Sequence, residues 1–469
     1  MRDPQRIHFI GVCGTAMATV AALLKQSGHD VRGSDQHVYP PMSDFLVTEG
    51  IQTMAEFSAD HIGSDIDLVV VGNTISRGNV ELEAVLERKI RYCSLPEVIR
   101  NRFLWGSRPI VLAGTHGKTT TTSLTGWLLT YGHRDPTVMV GGIALNFGDR
   151  GSSYRLGAGG DFVIEGDEYD SAFFDKTAKF LKYLPEVAVI SNIEFDHADI
   201  YADIDAVCLA FRRLVNLVPR NGLLLLGADS PHAADLLPHA VSAVETFGTS
   251  AEATWQADAV EHGDGVTRFT VRRRGESFGR FESPLLGLHN VRNALAAIAV
   301  GNHVGLGASE LAEGLRAFKG VRRRLEIIGV RSGVTVIDDF AHHPTAVRET
   351  LAALRAGYTT RRLWAVFEPR SASSCRRVFQ DDFAVSFGAA DEVVIAGVFR
   401  SSVPESERLS VDRLIEDLRR QSQRARHIPG AQEIVETIVN EHRDGDIVVL
   451  MSNGGFGGIH QELLQALDG

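Results

Sequence analysis

The sequence predicts an α/β protein with three consecutive domains, and three observations support this fold class. The 469 residues are more than one hydrophobic core usually organises. Short apolar runs alternate with helix-like segments along most of the chain, as where Ile7–Val12 precedes Ala16–Gln26. These runs are apolar at nearly every position, as expected of parallel strands that are covered on both faces.

Each domain can be placed from its own elements. The predicted strands are Ile7–Val12, Asp67–Val71, Ile110–Ala113, Phe162–Ile164, Val187–Ile190, Val334–Ile337, Leu363–Phe367 and Ile447–Leu450. The predicted helices are Ala16–Gln26, Thr119–Leu129, Asp205–Leu217, Asn290–Val304 and Thr345–Leu354. From Ala253 to Phe281 polar and apolar residues alternate, which predicts a small antiparallel insertion in the middle domain. With boundaries near Leu95–Trp105 and Lys319–Leu325, the predicted domains are residues 1–107, 108–320 and 321–469.

Composition excludes several classes of protein. The net charge of −11 offers no large basic field, so we expect no nucleic-acid partner. No apolar run reaches the roughly 18–20 residues of a membrane span, and the first residues lack a signal-peptide pattern. The four cysteines have no paired spacing, which favours reduced thiols over a disulfide framework or a zinc site. We therefore expect a cytoplasmic protein.

The strongest motif is a glycine-rich loop between a predicted strand and a predicted helix. It reads Ala113-Gly114-Thr115-His116-Gly117-Lys118-Thr119-Thr120. Such a loop points backbone N–H groups at polyphosphate and adds the positive end of a helix. Lys118 supplies an ammonium for the outer phosphates, and Thr119 supplies a hydroxyl for Mg²⁺. Leu112 stands where the usual pattern has its first glycine, so a glycine turn with an incidental lysine is the alternative to an ATP or GTP site.

A second glycine turn follows the first predicted strand, with the residues Gly11-Val12-Cys13-Gly14-Thr15-Ala16-Met17. Together with Ser34 and Asp35 it is similar to the dinucleotide fingerprint, although Cys13 replaces the middle glycine. The helix N-terminus suits a diphosphate, and the Asp35 carboxylate can accept a hydrogen bond from a sugar or a base. A tight βα turn without a ligand is the alternative.

Acidic residues and a histidine follow two of the predicted middle strands. Glu165-Gly166-Asp167-Glu168-Tyr169-Asp170 offers hard oxygen ligands suited to Mg²⁺, with a solvated acidic loop as the alternative. Asn192-Ile193-Glu194-Phe195-Asp196-His197 also lies where α/β sheets place ligands. His197 is a metal ligand, a residue that orients a substrate, or a surface histidine.

Taken in order, these residues resemble the Mur ligase family, which builds peptidoglycan precursors. Its members have a UDP-sugar domain, an ATP domain and a third domain for the incoming amine. The resembling elements are the A-G-T-x-G-K-T loop at 113–119, N-x-x-x-D-H at 192–197, G-x-H-N-x-x-N at 287–293, Arg324-Leu325-Glu326 and the D-D-F-A-H-H-P-T segment at 338–345. The family's own phosphate loop lacks the first glycine, which accounts for Leu112. The family's R-[FM]-[EQ] element differs from this chain at Leu325.

The resemblance implies a role for each candidate residue. ATP is expected at Gly114, Thr115, His116, Gly117, Lys118, Thr119 and Thr120, with adenine contacts from His289, Asn290 and Asn293 and a clamp from Arg324 and Asp339. The UDP-sugar is expected at Gly11, Cys13, Gly14, Thr15, Ser34, Asp35, Asn73 and Thr74. Mg²⁺ is expected at Thr119 and Glu165, with a second ion at His197. The predicted catalytic residues are Lys118, Glu165, His197, Arg324 and Asp339.

Further segments indicate a branch of the family. The G-x-x-G-x-x-M turn and the H-H-P-T residues resemble the members that act directly on UDP-N-acetylmuramate. The stretches at Glu165–Lys176, Phe367–Ser374, Val38–Ser43 and Met451–His460 resemble members that attach the tripeptide L-alanyl-γ-D-glutamyl-meso-diaminopimelate in cell-wall recycling, and the alternative is the L-alanine ligase of de novo synthesis. No lysine stands at Phe211-Arg212-Arg213, where several members carry a carbamylated one.

This resemblance also implies a mechanism. ATP phosphorylates the lactyl carboxylate of the sugar, and the free amine of the peptide attacks the acyl phosphate. Arg370, with the hydroxyls of Ser371, Ser373 and Ser374, is predicted to bind peptide carboxylates, with a surface arginine as the alternative. Two hypotheses from other classes of protein are a nucleotide-gated binding protein and an NAD-dependent oxidoreductase. The second is weakened by Cys13 in the glycine turn and by the separate phosphate loop.

Overall fold

The computed structural model describes residues 4–36, 38, 42–263, 265–399 and 403–468. Residues 39–41 of the Val38–Ser43 stretch lie outside the described residues. The chain forms two compact units. The first contains Met1–Glu194, Asp205–Trp255 and Ala296–Gly314, and the second contains Phe195–Ile204, Gln256–Leu295 and Leu315–Gly469. The domain limits at residues 107 and 320 remain a prediction.

The first unit begins with a parallel sheet in the strand order β3-β2-β1-β4-β5. Its strands are β1 (Arg6–Ile10), β2 (Asp30–Asp35), β3 (Gln52–Ala55), β4 (Leu68–Val71) and β5 (Tyr92–Ser94). Its helices are α1 (Thr15–Gln26), α2 (Met42–Thr48), α3 (Val80–Glu87) and α4 (Leu95–Ile99). Parallel strands joined by helices confirm the predicted α/β organisation at the start of the chain and give it a Rossmann-like form.

A second set of strands in the first unit lies in the order β14-β13-β12-β6-β9-β7-β8. These strands are β6 (Arg108–Ala113), β7 (Thr137–Ala144), β8 (Ser152–Arg155), β9 (Asp161–Gly166), β12 (Val187–Ile190), β13 (Leu223–Gly227) and β14 (Ala243–Gly248), and a hairpin is formed by β10 (Asp170–Ala172) and β11 (Asp175–Ala178). The helices are α5 (Lys118–Tyr131), α6 (Ile204–Val215), α7 (Pro231–Ala234) and α9 (Ala308–Arg316). Every residue of β12 and β13 is buried, as parallel strands covered on both faces require.

The second unit contains the predicted β insertion and a further sheet. The insertion consists of β15 (Trp255–Gly263), β16 (Val266–Arg273) and β17 (Glu276–Ser283), and β16 pairs antiparallel with β17. The sheet has the order β18-β19-β23-β20-β21-β22, with β18 (Glu326–Arg331), β19 (Val334–Asp339), β20 (Leu363–Phe367), β21 (Glu392–Ile395), β22 (Arg424–His427) and β23 (Ile447–Met451). The helices that lie wholly in this unit are α10 (Pro344–Gly357), α11 (Gln380–Ala384), α12 (Val411–Arg420), α13 (Ala431–Glu441) and α14 (Ile459–Asp468), whereas α8 (Leu288–His303) begins in this unit and ends in the first.

Strand β20 shows why this sheet is buried on both faces. Leu363, Ala365 and Phe367 belong to one hydrophobic cluster, whereas Trp364 and Val366 belong to another. Because side chains alternate along a strand, a continuous apolar run fills two cores at once. The predicted α/β class is confirmed. Within the described ranges, no helix is long and apolar enough to cross a membrane.

Candidate active site

The loop between β6 and α5 depends on two glycines. Gly114 has φ 132° and Gly117 has φ 83°, a region that side chains disfavour. A Cβ on Gly114 would lie 3.1 Å from the backbone nitrogen and oxygen of Asn192, so the loop packs directly against the chain that follows β12. The loop ends at the N-terminus of α5, where free N–H groups and the helix dipole favour an anion. This geometry suits a polyphosphate.

Asn192 braces this loop, a role that the sequence did not reveal. Its backbone oxygen accepts from the Thr115 N–H at 2.9 Å, and its side-chain oxygen accepts from the His116 N–H at 2.8 Å. Its amide donates to the His116 carbonyl at 3.1 Å. Glu194 adds a backbone N–H to the Thr115 hydroxyl at 2.9 Å, and its carboxylate lies 3.2 Å from the His116 ring. The position of Asn192, two residues after the end of a buried strand, was the available signal.

Lys118 is paired with Glu168, an acid of the predicted metal-binding cluster whose role the sequence did not indicate. Its Nζ donates to both carboxylate oxygens of Glu168, at 2.8 and 2.9 Å, and to the Thr115 carbonyl at 3.2 Å. Glu168 is only 1% exposed. Burial alone would lower the pKa of Lys118, but Glu168, Asp167 and Glu165 outweigh it and raise that pKa. The ammonium is therefore charged at neutral pH.

Two predicted magnesium ligands, Thr119 and Glu165, lie side by side. The Thr119 hydroxyl donates to Oε1 of Glu165 at 3.2 Å, and the Gly141 N–H donates to Oε2 at 2.8 Å. A hydroxyl and a carboxylate beside a phosphate loop are the hard oxygen donors that Mg²⁺ prefers, so these residues fit the ion. Asp167 lies nearby in sequence but pairs with Lys179 at 2.6 Å.

The N-terminal glycine turn lies at the carboxyl ends of β1 and β2. The N–H groups of Gly11 and Val12 both donate to the Ser34 carbonyl, at 2.8 and 3.0 Å. The Cys13 N–H donates to the Asp35 carboxylate at 2.8 Å, which ties the turn to the end of β2. Burial, with a contribution from Asp35, raises the pKa of the Cys13 thiol to about 11. Gly14 is the N-cap of α1, which begins at Thr15, and Asn73 and Thr74 follow β4 at the same edge. Their sugar-binding roles remain predictions.

The side chain of Ser34 takes part in a buried cluster. Its hydroxyl donates to the Glu81 carboxylate, which also lies 3.2 Å from the His8 ring and 2.6 Å from the His61 ring. Burial raises the pKa of Glu81, but the hydrogen bonds from His8 and Ser34 outweigh it and hold the pKa below its usual value. Ser34 therefore serves the glycine turn through its backbone carbonyl.

In the second unit, Asp339 organises the backbone around Arg324. Its carboxylate accepts from the N–H groups of Leu325 at 2.7 Å and Ala341 at 2.9 Å, and from the Thr350 hydroxyl at 3.1 Å. The Arg324 guanidinium stacks on the Phe340 ring, with 4.7 Å from Cζ to the centroid. Burial raises the pKa of Asp339 against the opposing effect of Arg324. The two predicted clamp residues thus belong to one local structure.

The predicted adenine contacts lie at the start of α8. Asn290 donates to the Leu286 carbonyl at 2.8 Å, and Asn293 donates to the Asn290 side chain at 3.0 Å. The His289 ring lies 3.7 Å from the Glu349 carboxylate. Burial lowers the pKa of His289, although Glu349 and Asp339 oppose it. Two amides and a neutral imidazole suit the hydrogen-bonding edge of a base.

His197 has a left-handed backbone, with φ 53°, and its N–H donates to the Asp196 carboxylate at 2.7 Å. Asp196 is buried and faces three histidines. Burial raises the pKa of Asp196, but His197, His342 and His343, with the Ser373 hydroxyl, hold it well below its usual range. The segment Phe195–Ile204 belongs to the second unit together with the β18–β23 sheet.

Arg370, in the loop after β20, is held by three neighbours. Its guanidinium lies 3.6 Å above the Phe399 ring and 3.4 Å from the Glu368 carboxylate. A Cβ on Gly454 would lie 2.0 Å from Nε of Arg370, so only glycine leaves room for this side chain. Two segments that the sequence analysis singled out separately therefore meet at Arg370.

The three serines of that loop have internal partners. The Ser374 hydroxyl accepts from the N–H groups of Arg370 and Ser371, at 3.0 and 2.9 Å, and lies 2.9 Å from the Ser371 hydroxyl. Ser373 instead donates to Asp196 at 2.5 Å. All three serines are buried, so the predicted contact with a peptide carboxylate rests on Arg370 and remains a prediction.

Comparison with known proteins covers nearly the whole chain. Residues 6–102 match the description "Mur ligase family, catalytic domain", residues 112–301 match "Mur ligase middle domain" and residues 323–454 match "Mur ligase, glutamate ligase domain". The chain is 40% identical over 464 residues to the UDP-N-acetylmuramate–L-alanyl-γ-D-glutamyl-meso-2,6-diaminoheptandioate ligase of Escherichia coli strain K12, with 98% of both chains covered.

Two further similarities add to this result. The chain is 36% identical over 456 residues to a UDP-N-acetylmuramate–L-alanine ligase of Salinibacter ruber, covering 96% of this chain and 92% of that protein. Among solved structures, a murein peptide ligase from Psychrobacter arcticus superposes with a TM-score of 0.73, at 35% identity and with 99% of both chains covered.

Proposed function

This chain belongs to the Mur ligase family, and we propose that it uses ATP to join L-alanyl-γ-D-glutamyl-meso-diaminopimelate to UDP-N-acetylmuramate, as a cytoplasmic enzyme of murein recycling. The observation that carries the proposal is the full-length similarity, at 40% identity, to a relative named for this reaction. The placement of Arg370 by Gly454 supports it, because this guanidinium can bind a carboxylate remote from the reacting amine.

The first half of the proposed reaction makes the carboxylate electrophilic. A carboxylate resists attack at neutral pH, and accepting the γ-phosphoryl group of ATP converts it to an acyl phosphate. This transfer depends on positioning and charge neutralisation more than on covalent help from the protein. Lys118 meets the outer phosphates at the end of the glycine loop. Mg²⁺ held by Thr119 and Glu165 supplies further charge neutralisation when bound.

The second half joins the amine. The peptide's deprotonated amine attacks the acyl carbon, and phosphate leaves from the tetrahedral adduct. Arg370 binds a remote peptide carboxylate and so orients the amine. Arg324 and Asp339 clamp the nucleotide, His289, Asn290 and Asn293 contact adenine, and His197 would hold a second Mg²⁺. The residues predicted at the N-terminal glycine turn bind the UDP-sugar.

The test measures ADP formation by the full chain with every combination of ATP, Mg²⁺, UDP-N-acetylmuramate and the tripeptide. We expect ADP and phosphate in equal amounts only when all four are present, with one amide product by mass spectrometry. A nucleotide-gated binding protein would form no amide, and an oxidoreductase would require a nicotinamide cofactor. Either result would refute the ligase proposal.

The second candidate is UDP-N-acetylmuramate–L-alanine ligase. The similarity to the Salinibacter ruber protein, at 36% identity, favours it. Both candidates share the nucleotide chemistry and differ in the amine. The choice between them therefore depends on the loop that carries Arg370.

A further inference from the structure

Asp196 lies in the middle of a short chain of hydrogen bonds that joins Ser373 to His197. The proposed reaction gives this chain of hydrogen bonds no role. One oxygen, Oδ1, accepts from the Ser373 hydroxyl at 2.5 Å and from the His197 N–H at 2.7 Å. Ser373 is 3% exposed and Asp196 is 6% exposed. A buried carboxylate bonded on both sides is costly to disturb, because a lost partner leaves the charge unsatisfied. Ser373 and His197 are thus linked through one atom.

Phe195, the residue before Asp196, is anchored to the same region. The His343 ring accepts the Thr345 N–H at Nδ1, which leaves the proton on Nε2 to donate to the Phe195 carbonyl at 3.1 Å. The Phe195 ring stacks on Phe379, with 6.0 Å between centroids. The segment that carries His197 is therefore held in place by both the carbonyl and the ring of Phe195.

The direction of the His197 side chain depends on this anchoring. A non-glycine residue with positive φ is strained and persists only where neighbours hold it. The Asp196 carboxylate holds the His197 amide, and the His197 carbonyl accepts from the N–H groups of Ile200 and Tyr201 at 2.9 and 3.0 Å. A shift of Oδ1 would therefore turn the backbone that aims the imidazole.

The other end of the chain of hydrogen bonds lies in the loop of Arg370. Because the Ser374 hydroxyl accepts from the N–H groups of Arg370 and Ser371, this loop is a small rigid turn. Ser373 is part of that turn. A ligand that shifted the backbone at Arg370 would shift the Ser373 hydroxyl with it.

We propose that Ser373 and Asp196 are positioning residues that couple occupation of Arg370 by a peptide carboxylate to the placement of His197. The enzyme would then complete its metal-ligating arrangement when the amine substrate is bound. The inference rests on the proposed function for the identity of the ligand, the tripeptide.

The test is amide hydrogen exchange of the full chain, read by mass spectrometry on peptides that span residues 195–204. We expect the tripeptide to slow exchange there about tenfold in the wild type, the scale of one hydrogen bond to a charged group. Ser373→Ala should abolish this effect while calorimetry still detects tripeptide binding. The same variant should lose about tenfold in kcat with a smaller change in the KM for tripeptide.

Ser386→Ala is the matched control. Ser386 is equally buried, donates to the Asp382 carbonyl at 2.7 Å and lies in the same unit, so this variant should keep the exchange effect. Should Ser373→Ala not fold, Ser373→Cys takes its place, because a thiol is a weak donor of similar size. Ser373→Thr, which keeps the hydroxyl, should restore the coupling.

The possible failures are distinguishable. Tripeptide-dependent turnover without slower exchange at residues 195–204 would overturn this inference and leave the proposed function intact. Full exchange protection in Ser373→Ala would do the same. An enzyme without any tripeptide-dependent turnover would overturn the proposed function and this inference with it.

Discussion

The Nζ of Lys118 lies within 2.9 Å of both carboxylate oxygens of Glu168. The lysine that the glycine loop offers to phosphate is therefore neutralised by an acid from the chain that follows β9. When a polyphosphate binds, the ammonium must exchange one anionic partner for another. The loop thus keeps its ammonium charged and ordered before the nucleotide arrives.

Glu168→Gln should destabilise the protein by roughly 3 kcal/mol, because it leaves the buried ammonium of Lys118 without its main partner. Urea unfolding measures the change in the free energy of unfolding. Adding Lys118→Met to Glu168→Gln should recover part of the loss, since the double variant buries no unpaired charge. A double variant that is less stable than Glu168→Gln would contradict this account of the pair.

Glu165→Gln should raise the Mg²⁺ concentration for half-maximal ADP formation about tenfold, because one carboxylate charge is removed from a hard-cation site. Asp175→Asn is the control, since Asp175 lies in the β10–β11 hairpin and pairs with Lys182 at 2.7 Å. An unchanged metal requirement in Glu165→Gln would assign the ligand role to Asp167 or Glu168.

Gly454→Ala should displace Arg370 without unfolding the chain, because the atoms nearest to the new Cβ belong to the flexible end of that side chain. We expect kcat/KM for the tripeptide to fall about tenfold, the scale of one charge-assisted hydrogen bond. Gly455→Ala is the matched control, since a Cβ there meets nothing within 4 Å. In an Arg370→Ala background, Gly454→Ala should have no further effect, and an additive loss would show that Gly454 acts by another route.

The Cys13 thiol should react slowly with iodoacetamide at neutral pH, because its pKa of about 11 leaves few thiolates. The rate should rise about tenfold per pH unit between pH 7.5 and 9.5. UDP-N-acetylmuramate should protect Cys13 and leave the modification of Cys208, in α6, unchanged by mass spectrometry. A rate that levels off below pH 9 would refute the raised pKa. Equal labelling of Cys13 with and without UDP-N-acetylmuramate would show that the sugar binds elsewhere.

Local motifs predicted the parts of the site that lie within one stretch of sequence. Thr119 in the phosphate loop and Glu165 in the acidic cluster were each expected to bind Mg²⁺, and their side chains are hydrogen bonded. Contacts between distant loops could not be read in this way. The fit of Arg370 against Gly454 and the bond from Ser373 to Asp196 depend on packing across 84 and 177 residues of chain.

The serines of the Arg370 loop show a second limit of sequence reasoning. Their clustering indicated ligand-binding hydroxyls, whereas Ser371 and Ser374 bond to each other and to the loop backbone. Short polar side chains bond locally to backbone as readily as to a ligand, and composition does not separate the two uses. The β22 strand (Arg424–His427) also escaped prediction, because Ala425 is the only apolar residue among its four.

The most direct test of the central claim is a competition between the tripeptide and free L-alanine for UDP-N-acetylmuramate, with ATP and Mg²⁺ in excess. Mass spectrometry of the two products gives the ratio of the kcat/KM values. We predict at least about a hundredfold preference for the tripeptide, because its remote carboxylates bind Arg370 and help to position the amine. Preferential formation of the L-alanine adduct would contradict the account and assign this chain to L-alanine addition.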